Sequence, residues 1–578
     1  MPDAVYPNVW GPGQLFAFSG LDGETDWFHP LVATTLSEDV GFLFRLRVPR
    51  RLWCEPTSLV VADVSPRVVT GDCVEFLIRP ERGPAFPLRY LFLDRFTVAG
   101  ETSTQMPPHV RAEGSAVVSS GVDLMTHSSA DEHTALVTET WGERLFFAFS
   151  YSPASDGEAV AQARGALQTH LAALQQRRLL FYDALPPMPG LSERRRRTIA
   201  KAVSVLRTGV MSPQGLITCR WTTPDRWPHR DLWLWDSCFH ALGCRVFSPD
   251  LAAEALEAVL ATQREDGFIA HRSSPAGMSD ITQPPLVAWT VRKLFTSSQD
   301  RTLLEDTYPQ IVRFVEWVVA NRAVAGSGLL AWRTDDDPLC RCGESGMDNS
   351  PRFDEGGVLE AVDLNAYVVS EMRCLADVAA ELGRESDASS WRSRADTLAG
   401  LMNERLWDDA AGFYFDRREN GENGDSPHFR IRTSAGFLPM FAGVPDRERA
   451  GRLVQHLADP NAFWTAFPVP SVARSDRHYR PDMWRGPTWL NIDLLIVEGL
   501  RRSGFHDVAR DLVDRVLEGV EHWYTRTGCL WEYYDPDGAT PPGELDRKER
   551  LARGKGIAPI SDFGWTAACY LALATGTL

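Results

Sequence analysis

The stretch that decides the fold is GESGMDNSPRFDE, residues 343–355, because it separates two long segments of helical character. It holds four carboxylates, at Glu344, Asp348, Asp354 and Glu355, and it lacks the spacing of an amphipathic helix. The segments on either side repeat apolar residues every three or four positions. The pattern therefore indicates an acidic loop that joins two helices.

This alternation of loop and helix continues from about residue 190 to the end of the chain. The periodicity predicts twelve helices, near 193–209, 231–247, 250–264, 284–299, 303–323, 359–383, 387–404, 432–442, 446–458, 486–504, 506–525 and 562–575. Twelve helices form six antiparallel hairpins. We predict that the hairpins close into an (α/α)6 barrel, and the pattern leaves an open α-solenoid as the alternative.

The first 180 residues have a different sequence pattern. Short bursts rich in Val, Phe and Thr, such as CVEFLIRP and RLFFAFSYS, are separated by turn residues at about 10–15 positions. This pattern predicts an antiparallel β-sandwich at residues 1–180, followed by a helical connector, centred on residues 157–178, that runs to about 190. The barrel, as the catalytic domain, then occupies residues 190–578.

Composition and charge limit the classes of partner. An apolar fraction of 44% and a charged fraction of 24% are those of a soluble globular protein. The net charge of −17 argues against binding to nucleic acid or to an anionic membrane, which require a basic surface. The first residues lack a basic region followed by an apolar run, and the ten cysteines are scattered. We therefore expect a cytoplasmic protein with mostly reduced thiols; its oligomeric state stays open.

Unusual polar and aromatic clusters precede the even-numbered helices of this series or occupy their first turns. They are HRDLWLWDSCFHALG at 229–243, GFIAHR at 267–272, ITQPP at 281–285, the acidic stretch at 343–355, RIRTSAGF at 430–437, MWRGPTW at 483–489, LWEYYDPDG at 530–538 and SDFGWTAA at 561–568. In an up-down ring these helices all start at the same end. The clusters are therefore predicted to converge on one mouth of the barrel and to form a pocket.

Two carboxylates are the candidates for chemistry in that pocket. Asp348 is the acid of its loop best placed to turn inward, whereas Glu344 and Glu355 look like solvated or helix-start acids and Asp354 is intermediate. Glu532 lies among aromatic residues in WEYYDPDG. A pair of carboxylates in an aromatic pocket, without a nucleophilic Ser or Cys motif, points to glycoside hydrolysis by a general acid and a general base.

The ordered motifs WLWDSCFHALG, QPPLVAW, ESGMDNSPRFD, VDLNAY, WRGPTWLNID, WEYYDPDG and FGWTA resemble those of glycoside hydrolase family 63. That group includes processing α-glucosidase and bacterial mannosylglycerate and glucosylglycerate hydrolases, and its similarity to trehalases is more remote. The resemblance covers residues 190–578. It implies an (α/α)6 barrel, often with an N-terminal β-sandwich, and hydrolysis of α-glycosidic bonds with inversion.

The resemblance assigns roles to individual residues. It implies that Asp348 is the general acid and Glu532 the general base, at a separation of roughly 6.5–9.5 Å for an inverting enzyme. The implied sugar-binding residues are Trp235, Asp236, His271, Gln283, Trp484, Arg485, Trp489 and, as a further candidate, Trp565. From the residues alone, each polar member of this set also has a structural interpretation, such as a surface acid, a loop hydrogen bond or a salt bridge.

Several features depart from the family or lie outside its motifs. Secure counterparts of the glycerate-recognising Arg and Tyr of the small glycerate hydrolases are not evident. The polar segments 417–429 and 539–558 are candidates for shaping the outer subsites. No cofactor or metal is required, and a calcium site at the acidic TDDDP, residues 334–338, is the alternative to a solvated loop.

The sequence therefore predicts an inverting, exo-acting α-glycosidase, specifically an α-glucosidase, that acts on an α-linked disaccharide, oligosaccharide or small glucoside. A trehalase-like, rhamnosidase-like or mannosylglycerate hydrolase-like enzyme is the first alternative. A non-catalytic carbohydrate-binding relative is the second. The first-subsite sugar, the linkage and the aglycone are not encoded in any motif.

Overall fold

The computed structural model describes residues 6–7, 16–18, 20–29, 31–35, 41–112, 119–120, 123–129, 131–183, 185, 190–418 and 428–577. Its contacts divide the chain into two compact units. The first contains Met1–Gln214, Asp225–Arg230 and Glu521–Cys529, and the second contains Gly215–Pro224, Asp231–Val520 and Leu530–Leu578. The predicted domain boundary near residue 190 stays a prediction.

Two β-sheets form most of the first unit. Their strands are β1 Tyr6–Pro7, β2 Phe16–Phe18, β3 Val32–Thr35, β4 Gly41–Phe44, β5 Arg50–Cys54, β6 Val61–Val69, β7 Cys73–Pro80, β8 Phe86–Phe92, β9 Thr97–Ser103, β10 Pro108–Ala112, β11 Ser119–Ser120, β12 Leu124–Ser129, β13 Glu132–Trp141 and β14 Arg144–Ser152. One sheet has the order β1-β6-β7-β8-β9-β14-β13-β12-β11, and the other has the order β10-β5-β4-β3-β2. Apart from the parallel pair β1 and β6, the pairings with a described register are antiparallel.

Apolar side chains from both sheets fill the space between them, as the alternation of buried and exposed positions predicts. Phe42 and Phe44 of one sheet contact Tyr90 and Phe149 of the other, with ring centroids 4.3 and 4.6 Å apart. The opposite face of the larger sheet packs against α1, Asp156–Ala166. The predicted N-terminal antiparallel β-sandwich is confirmed. The predicted connector helix is interrupted, because α2 starts only at Leu171 and runs to Asp183.

In the described part of the chain, twelve further helices lie near the positions that the periodicity predicts. They are α3 Glu193–Thr208, α4 Leu234–Cys244, α5 Pro249–Ala261, α6 Val287–Ser298, α7 Arg301–Arg322, α8 Val362–Glu381, α9 Glu385–Arg405, α10 Leu438–Ala442, α11 Arg447–Leu457, α12 Leu490–Arg502, α13 His506–Thr527 and α15 Gly564–Ala574, with the short α14, Arg550–Arg553, before the last. Helix α3 and the end of α13 group with the first unit.

Six of these helices form a closed inner ring within the second unit. Helix α4 packs on α6, and the series continues through α8, α10, α12 and α15, which returns to α4. Their buried faces carry residues such as Leu242, Val368 and Ile496. Contact between the last helix and the first excludes the open solenoid and confirms the predicted barrel.

Differences from the predicted helices occur mainly at their starts. Residues 431–437 form a loop and the 3₁₀ turn Ser434–Phe437, so α10 has only five residues. Short strands fill several loops: β15 Val210–Met211, β16 Trp221–Thr222, β17 Leu232–Trp233, β18 Arg272–Ser274, β19 Gly277–Met278, β20 Trp407–Asp408, β21 Phe413–Tyr414, β22 Asp416–Arg417 and β23 His428–Phe429. Among the described helices, none combines the length and apolar character that a membrane span requires.

Candidate active site

The loop at residues 343–355, which we call the acid loop, packs against the first turn of α4. Gly346 adopts a left-handed backbone with a φ of +69°, and a Cβ at this position would lie 2.3 Å from Cζ2 of Trp235. Glycine is the residue that meets both the conformational and the steric requirement. This contact fixes the acid loop against the start of α4, as the predicted convergence requires.

The four acids of the acid loop have different surroundings. Glu344 is fully buried, binds the Arg322 guanidinium, and accepts backbone hydrogen bonds from Thr282 at 3.2 Å and Arg333 at 2.9 Å. Of the two interpretations of Glu344, the solvated acid is excluded, because two neighbouring loops use this carboxylate as their acceptor, and the helix-start acid agrees with its place in the first turn of the 3₁₀ helix Gly343–Ser345. Glu355 is exposed, as predicted.

Asp348 is partly exposed and is paired with a cation that is itself partly exposed. Its side chain is 22% exposed, and Oδ2 lies 2.7 Å from Nζ of Lys548. Burial lowers the pKa of His271 to about 4, an effect that Asp348 opposes, so this imidazole is neutral near pH 7. Burial raises the pKa of the Cys340 thiol to about 12, and Asp348 contributes to that rise. Cys340 is therefore a neutral thiol beside Asp348 rather than a nucleophile.

Glu532 is the second candidate carboxylate, and its side chain is only 3% exposed. Nε of Arg547 lies 3.1 Å from Oε2, and Nη2 lies 3.3 Å from Oε1. The Ile560 backbone amide also donates to Oε2, at 3.2 Å. The Trp565 indole donates to the Glu532 carbonyl oxygen, at 3.3 Å. The carboxylate is consequently fixed from both sides, which suits a group that must hold one position during catalysis.

Two consecutive residues, Arg547 and Lys548, thus form ion pairs with the two candidate carboxylates, Glu532 and Asp348. Burial by itself would lower the pKa of Arg547, but the Glu532 carboxylate raises it above its ordinary value. Burial would likewise lower the pKa of Lys548, and Asp348 raises it. Both side chains are therefore charged at neutral pH. We call Arg547 and Lys548 the cation pair. The charge of Asp348 also acts on Arg547, so the two carboxylates share one electrostatic environment.

Asp482 joins the acid loop to the cation pair. Its Oδ2 accepts from Nδ2 of Asn349 at 3.1 Å, and its Oδ1 accepts from the Lys548 backbone amide at 2.7 Å. Lys548 and Glu549 have φ values of +54° and +57°, a left-handed conformation that is uncommon for residues other than glycine. The Glu549 amide also donates to Asp482. One buried carboxylate thereby stabilises this strained turn and holds the residue next to Asp348.

Four tryptophans, Trp235, Trp484, Trp489 and Trp565, form an aromatic cluster at the candidate active site. Trp484 and Trp489 are stacked with their ring centroids 3.7 Å apart. Trp565 contacts Trp489 at 5.4 Å and Trp235 at 5.3 Å, both edge to face. Trp235 and Trp484 are 6.2 Å apart. The clusters that precede α4, α12 and α15 therefore meet, as their positions in the series predict. The contacts of these rings with a sugar stay a prediction.

The other residues with predicted sugar contacts lie around the same helix start. Asp236 is buried in the first turn of α4. Oε1 of Gln283 accepts from the Trp235 backbone amide at 3.4 Å, and the His271 carbonyl accepts from the Leu234 amide at 3.1 Å. Nδ1 of His271 is 2.5 Å from Oγ of Ser279. The structure therefore joins these residues to α4, while their binding roles stay predictions.

Arg485 forms a bidentate ion pair with Asp354. Its Nη1 and Nη2 lie 2.7 and 2.6 Å from the two carboxylate oxygens of Asp354 in the acid loop, and Nη1 also donates to the Asn349 carbonyl at 3.1 Å. This is the salt bridge that the sequence left as the alternative to sugar binding. The pair ties the segment before α12 to the acid loop. A direct sugar contact of Arg485 stays a prediction.

No group of three or more His, Cys, Asp or Glu side chains is arranged to hold a metal ion within the described residues. In the TDDDP segment, Asp335 accepts from the Asp337 amide at 3.1 Å, and Asp337 accepts from the Leu339 amide at 3.0 Å. These acids stabilise their own turn. The expectation that no cofactor is required stays a prediction. The polar segment 417–429 lies outside the described residues from 419 to 427.

The pattern of one protein family, the mannosylglycerate hydrolase MGH1-like glycoside hydrolase domain, matches residues 228–566. This match covers more than half of the chain and includes both candidate carboxylates. The chain belongs to this family. It is accordingly a glycoside hydrolase, as the sequence resemblance implied.

Individual members agree with the MGH1-like assignment. The mannosylglycerate hydrolase of Rubrobacter radiotolerans is 26% identical over 441 residues, which are 60% of this chain and 91% of that protein. The crystal structure of the family 63 mannosylglycerate hydrolase of Thermus thermophilus in complex with Tris and D-glycerate has a TM-score of 0.52 and 27% identity. The similarity covers 65% of this chain and 99% of the Thermus chain. The same enzyme has been solved with glucose.

A third structure is similar along nearly the whole chain. A bacterial glucoamylase in complex with acarbose has a TM-score of 0.59 at 11% identity and covers 99% of this chain and 96% of its own. At this identity the likeness concerns the fold alone. It supports the combination of a β-sandwich with an (α/α)6 barrel in one glycosidase chain.

Three residues at the site of this MGH1-like chain were not predicted from the sequence. Lys548, Arg547 and Asp482 contact the candidate carboxylates or their neighbours. Lys548 and Arg547 lie in the 539–558 segment, which the sequence singled out only as a candidate outer loop. The basic pair in DRKER, residues 546–550, was the available signal, since it stands between two acidic residues, Asp546 and Glu549.

Proposed function

We propose that this chain is an inverting, exo-acting α-glycosidase in which Asp348 is the general acid and Glu532 the general base. The observation that carries the proposal is the cation pair, because adjacent residues hold both carboxylates in one electrostatic environment. In an inverting enzyme, the acid protonates the glycosidic oxygen while the base activates a water molecule on the opposite face of the sugar. The family supplies the reaction class.

The Glu532 side supports the role of the base. Its carboxylate is buried beside the permanently charged Arg547, and the Ile560 amide fixes one of its oxygens. A base needs a fixed position and a free lone pair aimed at water, and three hydrogen bonds on a carboxylate with about four acceptor sites leave room for that water on Oε1.

The Asp348 side suggests the substrate class. The Lys548 ammonium lies 2.7 Å from Oδ2 of Asp348 and engages that oxygen, whereas a general acid must present its carboxyl group to the glycosidic oxygen. Lys548 therefore has to exchange Asp348 for another anion as the substrate binds. A carboxylate on the leaving group would fill that role. We infer that the aglycone is a small hydroxy acid of the glycerate type, α-linked to glucose or mannose.

This inference refines the α-glucosidase predicted from the sequence. Glucose remains a candidate for the first subsite, together with mannose, and the change concerns the aglycone. The glycerate and glucose bound by the Thermus enzyme are consistent with such a substrate. A neutral α-glucoside such as maltose would leave Lys548 paired with Asp348.

Initial rates on matched substrates test the substrate class. We expect glucosylglycerate or mannosylglycerate to be hydrolysed at least about 10-fold more efficiently than glucosylglycerol or mannosylglycerol, which differ only in lacking the carboxylate, since a charge-assisted hydrogen bond contributes about 1.5–3 kcal/mol. Maltose and trehalose serve as neutral disaccharide controls. Equal kcat/KM for the acidic and neutral members of a pair would contradict the acidic-aglycone proposal while leaving the two catalytic roles intact.

We also infer a cytoplasmic location. All ten cysteines lie among the described residues, and none forms a disulfide. Unpaired, largely buried thiols are typical of proteins in a reducing compartment. Fractionation of the cells that produce the protein, followed by immunodetection, tests this location.

A further inference from the structure

A cavity of about 720 Å³ lies toward the C-terminal ends of the inner helices α8 and α12, beside α6 and α9. Six basic side chains line it, namely Arg292, Lys293, Arg373, Arg392, Arg501 and Arg502. The chain as a whole has a net charge of −17, so this concentration of positive charge is local. The volume is in the range of small-molecule binding sites.

The short helix α10 explains why there is space at this position. It has five residues, whereas its neighbours in the ring, α8 and α12, have 20 and 13. Helix α10 ends at Ala442, and the next residue, Gly443, caps it with a φ of +70°, the left-handed conformation of a helix C-terminus. Nη1 of Arg373 donates to the Gly443 carbonyl at 2.7 Å. The backbone end of α10 thus fixes one guanidinium of the cavity.

Three of the six cations are paired with the acidic side chains that also line the cavity. These pairs are Lys293 with Glu498, Arg292 with Asp377 at 2.7 Å, and Arg373 with Asp396 at 3.4 Å. The Trp289 indole donates to the second oxygen of Glu498 at 2.8 Å. The acids in the lining are therefore already occupied.

The other three cations, Arg392, Arg501 and Arg502, form no ion pair with any acid in the described part of the chain. A methyl group built on Gly443 would lie 2.7 Å from Nη1 of Arg373 and 3.4 Å from Nη1 of Arg502. Two guanidiniums therefore face the same point beside Gly443. Like charges at such a distance repel each other, and an anion between them would replace repulsion with attraction.

We propose that this cavity binds a small phosphate ester through its phosphate group. Guanidinium groups match the oxygens of phosphate in paired hydrogen bonds, and arginines on three different helices can surround a tetrahedral dianion. The cavity exceeds the size of a phosphate ion, which leaves room for an organic part of sugar size beside Trp289. Asp363, at the start of α8, binds Arg352 of the acid loop, and the distance along α8 from Asp363 to Asp377 is about 21 Å at 1.5 Å per residue, so this site is separate from the acid loop.

Calorimetric titration of the full-length protein tests this site with two probes, inorganic phosphate and glucose 1-phosphate. We expect saturable binding of both, with the ester tighter, and an Arg502→Gln variant that weakens binding by about 10-fold or more. Arg392→Gln should weaken it as well. The matched control is Arg394→Gln, two positions away on α9, because Arg394 is paired with Glu316 at 2.5 Å and does not line the cavity. That control should bind like the unmodified protein.

The result is independent of glycoside hydrolysis, since none of these arginines belongs to the candidate active site. Circular dichroism of each variant establishes that it is folded. The proposal is overturned if neither probe binds saturably, or if Arg502→Gln and Arg394→Gln bind both probes equally well. Binding of inorganic phosphate as tight as that of the ester would overturn the claim that the natural ligand is an ester.

Discussion

The two ends of the barrel differ in how they balance charge. At the candidate active site, four carboxylates each have their own cation: Glu344 has Arg322, Asp354 has Arg485, Asp348 has Lys548 and Glu532 has Arg547. In the cavity near the end of α10, basic side chains outnumber acidic ones two to one. Matched pairs fix side chains in place, as catalysis requires, whereas surplus charge attracts a ligand of the opposite sign. The two ends are accordingly suited to different tasks.

The largest expected effect comes from removing either catalytic carboxylate. Asp348→Asn and Glu532→Gln should each lower kcat by about 10²–10⁴-fold, because each loses one proton-transfer function. Steady-state rates on glucosylglycerate and mannosylglycerate measure the loss. The matched control is Glu355→Gln, an exposed acid of the same loop, which should retain full activity. Near-normal turnover in either catalytic variant would refute its assignment.

A second prediction separates the two members of the cation pair. Lys548→Gln should raise KM for an acidic substrate by about 10–100-fold, since it loses a charge-assisted hydrogen bond, and should leave KM for the neutral glycerol analogue nearly unchanged. The same substitution at Arg547 should lower kcat on both substrates, because it releases Glu532. Equal effects of Lys548→Gln on the two substrates would argue against a carboxylate exchange at Lys548.

Asp482 is predicted to be a positioning residue. Asp482→Asn should lower kcat by about 10-fold with a smaller change in KM, because an amide NH₂ opposes one of the donors that now converge on the carboxylate. A purely structural role would instead lower stability without altering the pH dependence of kcat. The double variant with Lys548→Gln should be less impaired than the two separate losses predict, since both act on the same turn. Full additivity would contradict this coupling.

The smallest effect concerns a buried carboxylate that has no cationic partner among the described residues. Glu371 in α8 accepts from the amides of Ala288 at 2.8 Å and Trp289 at 2.9 Å, and burial raises its pKa from 4.5 to about 7. The folded protein therefore binds more protons than the unfolded chain between these pH values. The contribution of Glu371 to the free energy of unfolding falls as pH rises from 4.5 to about 7 and is constant above that range.

Urea unfolding of the unmodified protein and of Glu371→Gln between about pH 5 and 8 measures this contribution. The difference in midpoint, unmodified minus variant, should decrease up to about pH 7 and then stay constant. A difference that is independent of pH, or that increases over this range, would contradict the raised pKa of Glu371.

The sequence predicted the fold because its two periodicities are local signals. Residues such as Leu242 and Val368 mark the inner faces of helices in the sequence itself, and the strands of the sandwich alternate in the same local way. Ring closure is a long-range property, and it became visible only in the packing of α15 on α4. The five-residue α10 was overestimated because its apolar residues continue into a 3₁₀ turn.

The candidate site was only partly predictable for a related reason. Asp348 and Glu532 stand in motifs whose neighbours distinguish them, and the structure brings a cation to each. The burial of Glu344 depends on Arg322 and on two backbone amides from other loops, none of which is adjacent in sequence. Arg485 had two chemically reasonable roles, and only the position of Asp354 shows that its guanidinium is engaged. A single sequence therefore does not reveal which side chains of different loops pair with each other.

Proton NMR of the sugar first released from an α-linked glycerate glycoside tests the central claim most directly. Mixing the enzyme with α-glucosylglycerate or α-mannosylglycerate and recording spectra within the first minutes distinguishes the anomers before they equilibrate. An acid at Asp348 and a base at Glu532 acting in one displacement predict that the β-anomer appears first. The α-anomer appearing first would indicate a covalent intermediate and would contradict the account, as would the absence of hydrolysis of both substrates.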